Sequence, residues 1–209
     1  MHAHISRDIA NLLHTLSVVI VEDNSFTRKV NRGLLAHIGI KTIHEAADGA
    51  AGLEAIRTYA PDLVVVDWNL PIISGAELVR MVRSPDSFPF PDVPIIILTC
   101  HGERWRVIES QRLGVHEFLI KPVSSQAILD RIVAIFHHPR PMVRLANYYG
   151  PEPRGAFAQL LQMENAQKAQ AETAQPAPAE GAEQAAAGMA EPSTAEDMPP
   201  VEAQLAAAQ

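Results

Sequence analysis

The 209 residues contain one cysteine, Cys100. A single thiol excludes an internal disulfide and any cysteine-based metal cluster. Long apolar runs are missing as well; none approaches the roughly 20 residues that span a bilayer. The opening stretch MHAHISRDIANLL lacks a basic start and a small-residue cleavage site, so it does not read as a secretion signal. These absences lead to the expectation of a cytoplasmic protein without membrane contact. No strongly basic patch is present either, which argues against nucleic acid as a direct partner.

What is present is unevenly spread. Hydrophobic residues make up 47%, enough for a core, but alanine inflates that figure. Residues 151–209 hold 18 Ala, 8 Gln and 7 Pro, with nine acids against two bases. Their net charge of −7 is that of the whole chain, so residues 1–150 are neutral. The acidity therefore belongs to a tail and says little about the folded part.

Short apolar runs recur through the neutral part: Ser17–Val21, Thr42–Ala46, Leu63–Val66, Ile95–Thr99 and Glu117–Ile120. Each is four or five residues long, as strands buried on both faces should be. Helical periodicity fills the gaps. Phe26, Val30, Leu34 and Ile38 step by four until Gly39. Leu53 and Ile56, Leu78 and Val82, Val107 and Ile108, and Ile128, Ile132 and Ile135 mark four further helices. Strands alternating with helices predict an α/β fold, a parallel sheet covered on both faces. Four prolines in RSPDSFPFPDVP, residues 83–94, predict a long loop before the fourth strand. Ile5, Ile9, Leu12 and Leu16 allow a short helix ahead of the first strand; a frayed terminus is the alternative.

In an open parallel sheet, ligands meet the carboxyl ends of the strands. The first strand ends in Glu22 and Asp23, and the third runs VVVDWNLP into Asp67. If these strands are neighbours, three carboxylates share one crevice. Their mutual repulsion becomes tolerable around a hard cation, and magnesium suits such a site. The fourth strand ends in Thr99 and the fifth just before Lys121 and Pro122. Acids, a hydroxyl and an ammonium thus arrive from four strand ends.

The motifs VVIVEDN, VVVDWNLP, IIILTC and FLIKP, in this order and spacing, resemble the receiver domain of two-component response regulators. The likeness runs from about Leu16 to His138. It implies a doubly wound five-stranded sheet of order 2-1-3-4-5. Asp67 is then the phosphoacceptor for a histidine kinase or phosphotransfer protein. The resemblance makes Asp23 a direct ligand of Mg2+ and Glu22 one that acts largely through water. Asn69 gives its backbone carbonyl to the metal. Thr99 and Lys121 take phosphoryl oxygens, and Pro122 follows a cis bond. Thr99 and Phe118 form the switch, with Phe118 where tyrosine is common. The protein is not an enzyme in the ordinary sense; it supports its own phosphorylation and dephosphorylation. It signals through the face made by the helix after the fourth strand, the fifth strand and the next helix. Trp105 is expected on that face, between core edge and partner anchor, and a downstream protein target or a phosphorylation-dependent homodimer would meet it there.

Some positions depart from the pattern. Ser74 stands where an acid is common. Cys100 follows Thr99 and is expected as a buried, inert thiol. His101 lies two residues beyond Thr99, where family members tune phosphate loss; a plain solvated histidine is the alternative. A phosphorylation-independent adaptor, a pseudo-receiver, is the alternative function. A cofactor binder of the same fold would need a Ser/Thr/Gly-rich phosphate loop after the first strand, where EDNSFTRK stands. A phosphatase with an aspartate nucleophile would need a second aspartate two residues after Asp23, where Ser25 stands. The predicted organisation is an N-terminal extension over 1–15, a receiver over 16–138, a Pro/Arg/Tyr linker over 139–154 and a disordered acidic tail over 155–209, in which Gly155–Glu172 allow a transient helix with Phe157, Leu160 and Leu161 on one side. No second folded domain is expected, so the protein reads as a stand-alone regulator. The linker resembles a segment of alphaproteobacterial receivers.

Overall fold

A computed structural model describes residues 6–100, 102–145 and 148–173. Five strands, β1 (Ser17–Val21), β2 (Thr42–Ala46), β3 (Leu63–Asp67), β4 (Ile95–Thr99) and β5 (Glu117–Ile120), form one parallel sheet. Their order is β2-β1-β3-β4-β5, so β1 and β3 are neighbours. The predicted α/β sheet and its strand order are both present.

Alternation along the strands builds two cores. Val19, Val21, Val64, Val66, Ile95 and Ile97 face one side. There α3 (Gly49–Tyr59) brings Leu53 and Ile56, and α4 (Gly75–Val82) brings Leu78, Val79 and Val82. Val18, Ile20, Val65, Ile96 and Leu98 face the other side. There α2 (Ser25–His37) brings Leu35, and α6 (Ser125–His137) brings Ile128 and Ile132. Helix α1 (Arg7–Thr15), capped by the Ser6 hydroxyl, buries Leu13 in this second core. Helix α5 (Arg104–Arg112) is held differently: Ser110 is its one buried residue.

The face of α2 differs from the expected one. Residues four apart on a 3.6-residue helix drift by about 40° per step. Over three steps from Phe26 to Ile38 the line turns through about 120°. Ile38 is therefore buried, Leu34 partly so, and Phe26 is 75% exposed. The inward positions are Asn31 and Leu35.

Residues 139–154, expected to be a linker, fold as an antiparallel hairpin of β6 (Met142–Leu145) and β7 (Tyr148–Pro151). It docks where Gly114 meets Gly150. A Cβ on Gly150 would lie 2.5 Å from Gly114 Cα, and Gly114 itself has φ +81°. Beneath the hairpin Arg83 is buried; it donates to the carbonyls of Gly114, Pro91 and Val93. Arg140 donates to His116 O and Glu152 O. Helix α7 (Gly155–Thr173) follows, within the segment expected as tail. Phe157 is buried edge-on to Tyr148, and Glu164 pairs with Arg112 at 2.6 Å. Prolines 139, 141, 151 and 153 read as breakers, yet proline is tolerated at strand ends and sheet edges. The tail beyond Thr173 lies outside the described residues. No described helix is long and apolar enough to cross a membrane.

Candidate functional site

Each strand of the switch region ends where its composition changes from β-branched to polar. Val18–Val21 give way to Glu22 and Asp23, and Leu63–Val66 to Asp67. Because β1 and β3 pair in register, the three carboxylates converge, each with an oxygen within 4.8 Å of the others. They are the one such acidic group among the described residues. Glu22 is buried, Asp67 partly buried and Asp23 exposed.

Lys121, just past β5, reaches across this group. Its Nζ lies 2.6 Å from Glu22 Oε2 and 3.3 Å from Asp67 Oδ2. Burial pushes the Glu22 carboxyl above its ordinary range, against the pull of Lys121. Burial works downward on Lys121, but the hydrogen bond to Glu22 and the charge of Asp67 outweigh it and hold the ammonium above its usual value. The peptide bond to Pro122 is cis.

Local backbone groups fix the rest. Asp67 Oδ1 accepts from the Trp68 N–H at 2.8 Å, and Asp23 Oδ1 from Asn24 N–H at 2.9 Å. The Asn24 side chain caps α2 by accepting from Phe26 and Thr27 N–H. Gly75 must be glycine: a Cβ there would sit 2.1 Å from Asp67 O. Ser74 starts α4 as a capping box with Glu77. Thr99 is fully buried at the end of β4. Phe118 on β5 is partly buried against the first core.

Two arginines near the site, Arg28 and Arg106, are not part of the motifs that mark it in the sequence. Arg28 donates to Glu22 O at 2.6 Å and Asp23 O at 3.3 Å and pairs with Glu45. Its contacts join three elements, so no local motif announces it. Arg106 reaches Asn69, whose side chain is otherwise exposed. Cys100 is exposed rather than buried. The core takes Leu98 and Thr99, and the chain turns out of the sheet after them. Cys100 lines a groove of about 350 Å3 with Phe26, Val30, Lys121, Pro122 and Val123. Trp105 is 55% exposed. His101 lies outside the described residues.

Three hard oxygen donors at this spacing fit a small divalent cation such as magnesium. With an ammonium beside them they also suit charge neutralisation of a phosphoryl group.

The chain is similar to chemotaxis receivers. It is 31% identical over 121 residues to the chemotaxis protein CheY of Pseudomonas aeruginosa, covering 58% of this chain and 96% of that protein. It is 28% identical over 127 residues to CheY-3 of Vibrio cholerae, covering 61% and 96%. The structure of CheY4 from Vibrio cholerae matches with a TM-score of 0.52 and 26% identity, over 58% of this chain and 98% of that one. These relatives lend no support to an alphaproteobacterial type. The model of the response regulator receiver domain matches residues 18–133, more than half of the chain. With this match and the carboxylate cluster at the ends of β1 and β3, the chain belongs to the response regulator receiver family, whose members are phosphoacceptors rather than classical enzymes.

Proposed function

We propose that Asp67 accepts a phosphoryl group from a histidine kinase or phosphotransfer protein in the cytoplasm, and that the modified protein signals by changing the α5–β5–α6 face. The convergence of Glu22, Asp23 and Asp67 beside Lys121 carries this reading. In the transfer, an Asp67 carboxylate oxygen forms the new bond to phosphorus. The bond from phosphorus to the donor imidazole nitrogen breaks, and its electron pair stays on that nitrogen. Asp23 and Asp67 would hold magnesium directly, with the Asn69 carbonyl, and Glu22 through water. The metal would neutralise phosphoryl charge. Lys121 takes a phosphoryl oxygen, a role supported by its contact with Asp67 Oδ2. Thr99 takes another and is drawn inward; Phe118 follows it. Asp67 Oδ1, held by the Trp68 N–H, fixes the carboxylate plane.

A protein donor must approach over the surface around Asp67. The groove flanking Lys121 exposes Phe26 and Val30, and it supplies the apolar ground such a donor needs. The signal leaves through protein contact, to a downstream target or a second copy.

The test is labelling with acetyl phosphate and magnesium, followed by acid and base treatment. Wild type should carry one aspartyl phosphate, lost in both acid and base as an acyl phosphate is, and Asp67→Asn none. Equal labelling of the variant would remove Asp67 from its role. A wild type that never labels would favour a phosphorylation-independent adaptor.

A further inference from the structure

Arg106, in the first turn of α5, has four aromatic or polar neighbours: two indoles, an amide and a carboxylate. Its guanidinium carbon lies 4.7 Å from the Trp105 ring centre and 5.9 Å from that of Trp68. Nη1 stands 3.5 Å from Asn69 Oδ1, at the limit of a hydrogen bond. Nε is 3.1 Å from Glu103 Oε2, but the contact lacks hydrogen-bond geometry, and this buried N–H makes no hydrogen bond. The side chain is only 16% exposed. A buried donor in this condition is uncommon and calls for a physical reason.

Its neighbours supply one. Trp68 and Asn69 directly follow Asp67, and Trp68 is buried. Trp105, on the other side of the cation, is more than half exposed. Arg106 thus joins the strand end that carries the nucleophile to an aromatic on the outer surface. Helix α5, with Ser110 as its one buried residue, has little apolar anchoring to oppose a change at that joint.

We propose that Arg106 is a positioning residue that couples the charge on Asp67 to the setting of Trp105. The inference rests on Asp67 being the phosphoacceptor. A phosphoryl group adds negative charge and acceptor oxygens close to Asn69. The guanidinium has one marginal hydrogen bond and an ion pair to Glu103 without hydrogen-bond alignment, so it turns toward the new charge. Its cation–π contact with Trp105 then loosens, and the ring becomes available to a partner. The coupling is reciprocal: a partner that covers Trp105 alters the affinity of the site for the phosphoryl mimic.

The chain has two tryptophans, so 15N spectra carry two indole N–H signals, assigned with Trp105→Phe. Beryllofluoride with magnesium should shift both signals in wild type. In Arg106→Ala the Trp68 signal should still shift, showing that the site is occupied, while the Trp105 shift falls at least threefold. Arg106→Lys should not restore it, because an ammonium lacks the planar faces that stack between two rings. Melting curves identify a variant that fails to fold, and Arg106→Gln, which keeps a donor for Asn69, then takes its place with the same expected loss. An undiminished Trp105 shift in a folded variant overturns the coupling. If neither indole moves in wild type, the phosphoacceptor reading fails and the coupling falls with it.

Discussion

Asp23 is the exposed member of the carboxylate cluster, and its role is separable from folding. Changing residues that only support metal ligands already costs about 10–100-fold in affinity. Asp23→Ala should therefore weaken magnesium binding by at least that factor. Trp68 fluorescence, read in a Trp105→Phe background, reports it; an unchanged midpoint would remove Asp23 from the metal site. His116 shows a second residue-scale effect. Burial, with the charges of Arg83 and Arg140, pushes its imidazole down to about 3. Its Nδ1 faces the donors Ile95 N–H and Arg83, as a neutral ring requires. The unfolded chain takes up this proton below its ordinary 6.5, and the folded protein only near 3. Stability from this group is full above 6.5 and is lost as pH falls toward 3. By pH 5 the loss should be about 2 kcal/mol. His116→Asn keeps an acceptor and should flatten that part of the pH–stability curve; a curve as steep as wild type would exclude His116 as its source.

At the scale of elements, the β6–β7 hairpin is part of the domain. Its Tyr149 hydroxyl bonds Asp92, Arg144 pairs with Asp86, and Gly150 lies against Gly114. Both sides of the glycine contact are backbone, which cannot yield as a side chain can. Gly150→Ala should cost about 1–3 kcal/mol, the usual range for overpacking, seen as a lower melting temperature. A loss within error would mean that the hairpin can shift freely. Helix α2 presents the opposite case. Phe26 contributes exposed surface, so Phe26→Ala should leave stability and acetyl phosphate labelling unchanged. Transfer from a protein donor should slow about tenfold, as for an interface anchor worth 1–2 kcal/mol. Equal slowing with acetyl phosphate would assign Phe26 to the chemistry instead.

The molecule as a whole should respond to site occupancy. A ligand that binds only the folded state at 100 times its dissociation constant adds about 2.7 kcal/mol. For a protein of this size that is roughly 5–10 °C in melting temperature. Beryllofluoride with magnesium should produce such a rise in wild type and none in Asp67→Asn. The same rise in both proteins would mean that the ions bind elsewhere.

The strands, their ends and the polar residues waiting there could be read from the chain, since they rest on local causes. A β-branched run that stops at an acid marks both a buried strand and its exit from the core. The motif order then implied the sheet order through resemblance, and the structure shows it. The outward face of α2 was not legible, because a four-residue step drifts around the helix and only packing decides which side is covered. The fold of 139–154 was hidden for another reason. Its prolines are local signals against structure, whereas the residues that hold it lie 24 to 65 positions away: His116 from Arg140, Gly114 from Gly150, Asp92 from Tyr149 and Arg83 from Tyr148. Nothing local in the sequence marks Arg106 as a neighbour of Trp68; its place between two indoles follows from how α5 meets the end of β3. Local sequence thus determined what each segment can form. The tertiary structure decided which side chains meet, because those contacts join residues that no periodicity connects.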